Sequence, residues 1–382
     1  MSVLGIRPDW IKMCSVISNL DRTGFPHILV HTGQHYSYDL DGIFFDQLQI
    51  RKPDFNLNVG SGSQGEQTAR IIERSEKVMA RERPDIVIVF GDSNSSLAAV
   101  AASKMNIRVA HIESGMRAYD WRMPEEKNKR IVDHVSSFLF VYTEYQKQNL
   151  LQEGFKADKI HVVGNPTVDV IMRFWDEAKR NKIGTSLNLR RKDFFLATLH
   201  RAENVDDETS LRSILKALEL VFREHGKRII LPLYPRTQRR IQEFGLEMPD
   251  GVEVLEPLGF LEFLHLEMNA LCLITDSGTV QEEGCILGIP CVVVRISTER
   301  PETVAIGASI VAGTKPETVL KAVDLILHRP VDWSHPYGNG KAGERIAQVL
   351  KTYRPRSLIE EILEGALHDY RCRICFSPYL SG

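Results

Sequence analysis

The feature that most constrains the fold is an alternation of short apolar runs and helix-forming segments in the first third of the chain. Residues 86–90 and 109–112 are apolar and rich in β-branched side chains, and the small-residue segment 98–102 lies between them. Such runs joined through a helix are typical of buried parallel strands with crossover connections. Ligands of these sheets bind at the carboxyl ends of the strands. Asp92 and Glu113 follow the two runs, which predicts a functional site at this edge.

The same alternation runs through the rest of the chain. Further strands are predicted at residues 27–32, 138–142 and 160–163 in the first half, and at 194–199, 228–233, 252–255, 271–275 and 291–295 in the second. Because 382 residues exceed the size of one growing hydrophobic core, we expect two domains. We predict an α/β protein with two Rossmann-like doubly wound domains facing a central cleft. Its parts would be residues 1–164, 165–342 and a last segment, 343–382.

Composition and charge exclude several classes of protein. The chain is 43% hydrophobic and 26% charged with a net charge of −2, so neither a nucleic acid nor a membrane surface is expected as a partner. No apolar run approaches the roughly 20 residues of a spanning helix. The N-terminus lacks the basic region and apolar core of a signal peptide.

The six cysteines indicate a reducing compartment. Four lie among apolar neighbours and are predicted to be buried free thiols. Cys372 and Cys375 form one C-x-x-C without a second pair, so a metal site is not favoured and none is predicted. We therefore expect a cytoplasmic location.

Three acidic positions are candidates for proton transfer. Asp92 and Glu113 end predicted strands, and Glu125 follows soon after them. Carboxylates crowded in a cleft raise one another's pKa, which suits acid/base work. Signatures of nucleophilic hydrolases and of H-E-x-x-H metalloproteases do not occur.

Residues 276–284 run from a strand end into a helix and predict a phosphate site. Backbone N–H groups of Ser277 and Gly278 would be free to bind phosphate, with the helix dipole behind them. Glu283 would reach a ribose hydroxyl pair, as acids do at dinucleotide sites. The alternative is a plain helix cap followed by a solvated pair of glutamates. The Gly/Ser-rich residues 57–63 lack a Walker lysine and are interpreted as a mobile loop.

Basic residues at other strand ends complete the candidate site. Arg7 precedes a helix where it could meet an anion, with an exposed turn arginine as the alternative. Lys12 lies one turn further along. His200 and Arg201 end the first strand of the second domain, where a diphosphate could bind. Arg300 lies in the acidic segment 298–302, which could instead be a surface loop.

Taken together, these motifs resemble the UDP-N-acetylglucosamine 2-epimerase family from Gly5 to about Ile346. The carriers are Gly-Ile-Arg-Pro at 5–8, Gly-Asp-Ser at 91–93, His-Ile-Glu-Ser-Gly at 111–115, Pro-Glu-Glu at 124–126, His-Arg-Ala-Glu-Asn at 200–204, the stretch 275–283, Thr-Glu-Arg-Pro-Glu at 298–302 and Pro-Tyr-Gly-Asn-Gly at 336–340. The resemblance implies a glycosyltransferase-B-like fold whose last helix crosses back to the first domain.

The resemblance also implies a reaction and a set of residues. The reaction is conversion of UDP-GlcNAc to UDP-ManNAc through a 2-acetamidoglucal, without cofactor or metal, in a cytoplasmic homodimer that supplies polysaccharide precursors. The implied acid/base and diphosphate-site residues are Asp92, Glu113, Glu125 and His200. The implied substrate-binding residues are Arg7, Lys12, Arg117, Arg201, Glu203, Asn204, Ser277, Gly278, Glu282, Glu283 and Arg300.

Several alternatives stay open within this resemblance. A hydrolysing relative would release UDP and ManNAc, other relatives act on related UDP-acetamido sugars, and a UDP-sugar glycosyltransferase or binding protein could share the fold. Many members also carry a regulatory substrate site with a Gln-His-x-Gln stretch and a histidine. Here Ser37 and Tyr234 replace the last glutamine and that histidine, so we expect no substrate activation.

Overall fold

Two parallel β-sheets organise the chain, for which the computed structural model describes residues 1–33, 45 and 47–353. Among these residues the first sheet has the order β3-β2-β1-β4-β5-β6-β7 and the second β10-β9-β8-β11-β12-β13. The strands are β1 Ser2–Leu4, β2 Leu29–His31, β3 Phe55–Asn56, β4 Ile86–Phe90, β5 Arg108–Ile112, β6 Phe138–Val141, β7 Ile160–Val162, β8 Phe195–Thr198, β9 Ile229–Pro232, β10 Val252–Leu255, β11 Cys272–Thr275, β12 Cys291–Val293 and β13 Ser309–Val311.

Helices connect the strands and cover the sheets. The described helices are α1 Arg7–Arg22, α2 Gln64–Glu82, α3 Ala98–Lys104, α4 Pro124–Val135, α5 Glu144–Gln152, α6 Pro166–Lys179, α7 Ile183–Ser186, α8 Ala202–Val205, α9 Glu208–His225, α10 Pro235–Glu243, α11 Phe260–Asn269, α12 Gly278–Leu287, α13 Pro301–Ala305, α14 Pro316–Leu327 and α15 Ala342–Thr352, with 3₁₀ turns at Asn94–Leu97 and Ala157–Lys159. The predicted α/β class and doubly wound sheets are confirmed. Sequence reading missed the short strands β3 and β13, which lie outside the longer apolar runs used to predict strands.

The strand order creates one switch point in each sheet. In the first sheet the chain runs outward from β1 to β3 and then returns to β4, and in the second it returns from β10 to β11. Ligands of doubly wound sheets bind at such points, because the loops after the two central strands diverge there. Arg7 and Asp92 follow β1 and β4, and His200 and Ser277 follow β8 and β11. The topology therefore places four of the predicted site residues at the two switch points.

The apolar runs become sheet cores, as their composition predicts. Both faces of the second sheet are covered by buried apolar side chains, because its strands lie between helices. The loop at residues 57–63 is tied down by α2, whose Arg70 donates to the carbonyls of Val59 and Ser61 at 3.1 and 3.0 Å. Ser63 caps α2 and exchanges hydrogen bonds with Glu66 in a capping box.

Residues Met1–Ala347, which contain both sheets, form one compact unit, and a second unit begins at Gln348. The domain boundaries after residues 164 and 342 stay predictions. Ser37, Cys372 and Cys375 lie outside the described residues. Within the described part of the chain, no helix combines the length and apolar character needed to cross a bilayer.

The start of α15 is held by α6. The Asp169 carboxylate accepts hydrogen bonds from the backbone N–H groups of Ala342 and Gly343 at 3.1 and 2.8 Å. These N–H groups belong to the first turn of α15 and have no partner within their own helix. A side chain on Gly343 would lie 2.9 Å from the backbone of Ser15, so α15 also packs closely on α1.

We expect Asp169→Ala to lower the free energy of unfolding by about 1–3 kcal/mol, because two buried N–H groups lose their acceptor. Urea denaturation at pH 7 measures the change. Asp176→Ala is the matched control, since Asp176 lies on the exposed face of the same helix and should change stability little. Equal effects of the two substitutions would contradict this anchoring role.

Candidate active site

Four buried side chains form a closed ring of alternating charge between the two sheets. Lys12 Nζ lies 3.0 Å from Glu113 Oε2 and 2.9 Å from Glu282 Oε2. Arg300 completes the ring, with Nε 2.7 Å from Glu282 Oε1 and Nη2 3.2 Å from Glu113 Oε1. We call Lys12, Glu113, Arg300 and Glu282 the charge ring. It brings together one helix and one strand end from the first sheet with α12 and the segment before α13.

The charge ring keeps its members ionised. Burial by itself would raise the pKa of Glu113 and of Glu282, but Lys12 and Arg300 outweigh burial and the pKa of both carboxyls is lowered. Burial would likewise lower the pKa of Lys12, yet the two carboxylates raise it. Each charge faces two of opposite sign, which is the arrangement that compensates for the loss of hydration.

Glu113 has a backbone conformation that glutamate rarely adopts. Its φ is +73°, in the left-handed region. Such a conformation costs on the order of 1–3 kcal/mol for a residue with a Cβ and clusters at functional sites. The Tyr142 hydroxyl donates to Glu113 Oε2 at 2.7 Å, and the Glu113 N–H donates to the Phe140 carbonyl at 3.1 Å. The strained backbone aims this carboxylate at the charge ring.

A second cluster adjoins the ring and contains the other two predicted acids. Lys129 Nζ lies 2.8 Å from Asp92 Oδ2 and 3.5 Å from Glu299 Oε1. Arg201 lies 4.0 Å from both Glu125 and Glu299. Burial, aided by the Asp92 charge and opposed by Arg201, raises the pKa of Glu125. Glu113 is thus held ionised, whereas Glu125 is easier to protonate. This difference is usual for a base and an acid in one site.

Asp276 fixes the loop that carries His200. Its carboxylate accepts from the backbone N–H groups of His200 and Arg201 at 3.1 and 3.0 Å, and from Asn204 Nδ2 at 3.3 Å. His200 Nδ1 lies 3.2 Å from Asp276 Oδ1, and burial lowers the pKa of the imidazole. The Tyr234 side chain lies against His200 with 5.5 Å between the two centroids. Asp276 therefore connects the ends of β8 and β11.

The start of α12 differs from expectation in one respect. The Ser277 N–H donates to Thr275 Oγ1 at 2.9 Å, so the prediction that it is free for phosphate is wrong. The physical reason is that the Thr275 hydroxyl, at the strand end, accepts from the amide two residues further on. A Cβ on Gly278 would lie 2.7 Å from the Arg300 guanidinium, so a side chain at position 278 would displace that guanidinium from its present place. The alternative of a solvated glutamate pair is wrong, because Glu282 and Glu283 are 0% and 6% exposed.

The remaining predicted residues lie around or away from these clusters. Arg7 is exposed and donates to the Leu258 carbonyl at 3.1 Å, and Arg295 Nε lies 3.6 Å from Glu203. Arg117 is not brought to the charge ring. Its buried guanidinium pairs with Asp133 and Glu153 at 2.7 and 2.6 Å, because both acids lie behind the strand end and compensate its charge. The surface-loop alternative for residues 298–302 is wrong, since Glu299, Arg300 and Glu302 are buried.

Sequence reasoning missed several residues of the site. Lys129 is one helical turn after Glu125, a spacing that puts both on one face of α4 and could have been noticed. Tyr142 ends the predicted strand 138–142, so the rule about strand ends also applied to it. Asp9 gave no signal. Its carboxylate accepts from the N–H groups of Gly5 and Ile6 at 3.1 Å, and burial raises its pKa to about 7. No cluster suited to a metal ion occurs among the described residues.

Comparison with known proteins places the fold in a defined class. The chain aligns with a glycosyltransferase involved in lipopolysaccharide biosynthesis at a TM-score of 0.58 and 10% identity, covering 92% of this chain and 98% of that one. That likeness concerns the fold alone. With its two parallel-sheet halves, the protein has the glycosyltransferase-B-like α/β fold.

The family is shown by closer relatives. A family model described as UDP-N-acetylglucosamine 2-epimerase matches residues 18–351. The UDP-N-acetylglucosamine 2-epimerase of Methanocaldococcus jannaschii is 45% identical over 361 residues, covering 91% of this chain and 97% of the relative. Its crystal structure in complex with UDP-GlcNAc and UDP aligns with a TM-score of 0.89, covering 92% of this chain and 99% of that one. The UDP-2,3-diacetamido-2,3-dideoxy-D-glucuronate 2-epimerase of Pseudomonas aeruginosa is 40% identical, covering 92% and 98%. The chain belongs to the UDP-N-acetylglucosamine 2-epimerase family.

We expect Lys12→Met to lower the free energy of unfolding at pH 7 by about 3–5 kcal/mol, because two buried carboxylates lose a shared cation. The pKa of Glu113 and Glu282 is lowered in the native protein, so the stability they contribute is present above their ordinary pKa and is lost as the pH falls through the lowered one. The difference between the two proteins should therefore narrow on acidification.

Denaturant titrations at pH 7 and at successively lower pH measure this difference. Lys77→Met is the matched control, because the Lys77–Glu73 pair is exposed and its loss should change stability little. A difference that does not depend on pH would show that Lys12 stabilises by packing alone.

Proposed function

We propose that the protein interconverts UDP-GlcNAc and UDP-ManNAc by inverting the configuration at C2 of the sugar. The observation that carries the proposal is the junction of the charge ring with the second cluster. There Glu113, which follows β5, is held ionised, while the pKa of Glu125, in the first turn of α4, is raised. Membership of the epimerase family supports the same reaction.

The reaction divides into an elimination and an addition. A carboxylate takes the C2 proton, the bond between C1 and the diphosphate oxygen breaks, and UDP leaves with the bonding electrons. Addition of UDP to C1 of the resulting 2-acetamidoglucal, with protonation of the opposite face of C2, gives the epimer. We assign proton transfer to Asp92, Glu113 and Glu125. The two faces of C2 need separate groups, and carboxyls of different pKa in one site meet that need.

The nucleotide would bind at the second sheet. We assign the diphosphate to His200, Arg201 and the first turn of α12, where helix dipole and cations favour an anion. Arg7, Lys12 and Arg300 add positive charge between the two sheets. We assign the ribose hydroxyls to Glu283, whose side chain is not fully buried. A homodimer and a cytoplasmic location are further parts of the proposal, and the four buried free thiols at Cys14, Cys272, Cys285 and Cys291 accord with the latter.

A second candidate substrate is a UDP-diacetamido uronic acid. The 40% identity to the Pseudomonas aeruginosa enzyme favours this candidate, because that relative acts on such a sugar and is almost as similar as the Methanocaldococcus jannaschii one. The same carboxyls would invert C2 in both substrates. Incubation with each nucleotide sugar separates the two candidates.

Proton NMR of the protein with UDP-GlcNAc in D₂O tests the proposed function. We expect UDP-ManNAc to form and deuterium to enter at C2, because the abstracted proton exchanges with solvent before addition. Accumulation of free UDP and ManNAc would instead indicate the hydrolysing reaction. A complete lack of turnover and of exchange with either candidate sugar would contradict the proposal.

We expect Asp92→Asn and Glu113→Gln each to lower kcat by about 10²-fold or more, the usual effect of losing a general acid or base. UDP affinity, measured by calorimetry, should persist in the Asp92 variant. Glu144→Gln is the matched control, since Glu144 is an exposed carboxyl at the start of α5. Near-normal turnover of either site variant would remove that residue from the mechanism.

We also expect hyperbolic kinetics in UDP-GlcNAc, and conversion of pure UDP-ManNAc without added UDP-GlcNAc. The reason is the replacement of polar groups of the family's regulatory site by Ser37 and Tyr234, either of which could remove a coupling of about 1–3 kcal/mol. The contact of Tyr234 with His200 supports this expectation, because its side chain is already engaged at the proposed diphosphate site. Initial rates in each direction provide the measurement, and a reverse reaction that needs UDP-GlcNAc would contradict it.

A further inference from the structure

The carboxyl of Glu267, on α11, lies in surroundings that would not stabilise a negative charge. Its side chain is 0% exposed, and no hydrogen-bond donor among the described residues reaches either of its oxygens. The carboxyl of Glu283 faces it across the contact between α11 and α12. Glu283 lies on α12, the helix whose start carries the nucleotide motif.

Two carboxylates in this position cannot both be ionised. A buried charge without a partner is strongly unfavourable, and a neighbouring like charge adds to the cost. A proton shared between the two groups removes one charge and makes a hydrogen bond at the same time. Burial is the main reason why the pKa of Glu267 is well above its usual range, whereas burial raises the pKa of Glu283 to about 7.

The surroundings decide which carboxyl keeps the proton. Glu283 retains 6% of its surface and feels the positive charge of Lys12, opposed by Glu282 on its own helix. Glu267 has no such cation. The other titratable groups that face the pair are Tyr234, before α10, and Cys291, on β12. Glu283 therefore ionises first, and Glu267 is left as the donor.

We propose that Glu267 is a positioning residue of the nucleotide site, and that its protonated carboxyl donates a hydrogen bond to the Glu283 carboxylate and holds it toward the ribose. This role rests on the proposed function, which assigns the ribose hydroxyls to Glu283. Glu267 touches no reacting atom. It acts by fixing the direction of Glu283 and by setting the pH at which that group becomes an acceptor of two hydroxyl hydrogen bonds.

The proposal predicts a pH dependence of UDP binding. UDP affinity should rise with pH as Glu283 ionises, by up to about tenfold between pH 6 and pH 8, because only the ionised fraction is competent to bind. In Glu267→Gln the side-chain amide supplies the same donor while Glu283 still ionises, so both the affinity at pH 8 and this pH dependence should be kept. In Glu267→Met the donor is absent, and affinity at pH 8 should fall about tenfold, the scale of a hydrogen bond to a charged group.

Calorimetric titration of the full chain with UDP at pH 6, 7 and 8 measures these affinities. Ionisation of UDP itself is common to all three proteins, so the ratios between them isolate the Glu267–Glu283 pair. UDP affinity at pH 8 that is equal in all three proteins, or as low in Glu267→Gln as in Glu267→Met, would overturn the positioning role alone. Failure of the unmodified protein to bind UDP at any of these pH values would overturn the proposed function and the positioning role together.

Thermal unfolding without nucleotide gives an independent readout of the shared proton. The pKa of Glu283 is raised to about 7 in the folded protein, so the stability its proton contributes is present at low pH and is lost as the pH rises through about 7. Glu283→Gln removes the carboxyl that ionises in this range, so its Tm relative to the unmodified protein should increase from pH 6 to pH 8.5. A Tm difference independent of pH would overturn proton sharing.

Discussion

The structure depends on the charge ring formed by Lys12, Glu113, Arg300 and Glu282. Its members come from α1, the end of β5, α12 and the segment before α13, so the carboxyl ends of both sheets meet in one electrostatic unit. Burying any one of these four charges alone would be unfavourable. Burial of the alternating ring is tolerated, because each charge has two partners of opposite sign. The ring also explains local features that look unrelated. A side chain at position 278 would meet the Arg300 guanidinium, and the left-handed backbone of Glu113 turns its carboxylate inward.

The same electrostatics prepares the site for proton transfer. Carboxyls that lie close together ordinarily all have a raised pKa, because each raises the pKa of the others. Here cations are distributed unevenly, so the pKa of Glu113 is lowered while burial keeps the pKa of Glu125 and Glu283 raised. Acids that differ in protonation within one site are what an enzyme that removes and returns a proton requires. In this protein, the positions of Lys12 and Arg300 set those differences.

Strand-end reasoning found much of the candidate site and failed where contacts cross between chain segments. Arg7, Asp92, His200 and Ser277 all follow strands, and the sheet order brings them to the two switch points. The prediction that the Ser277 amide is free was wrong, because its N–H donates a hydrogen bond to the Thr275 hydroxyl. Arg117 belonged to the right motif but pairs behind the strand end with Asp133 and Glu153. Tyr142 and Lys129 were missed although their spacing carried a signal.

By itself, the sequence determined the alternation of strands and helices, the doubly wound class and the motifs that define the epimerase family. These features depend on the local periodicity of apolar residues and on residues close together in the chain. Both can be recognised without knowing the fold. The tertiary structure alone decided which charges meet. Lys12 and Glu282 are 270 positions apart and Glu113 and Arg300 are 187 apart, so no local pattern relates them. Glu267 reads as an ordinary glutamate on a helix until the fold encloses it against Glu283. Burial and opposing charge are properties of the folded site, and they set the pKa of each carboxyl there.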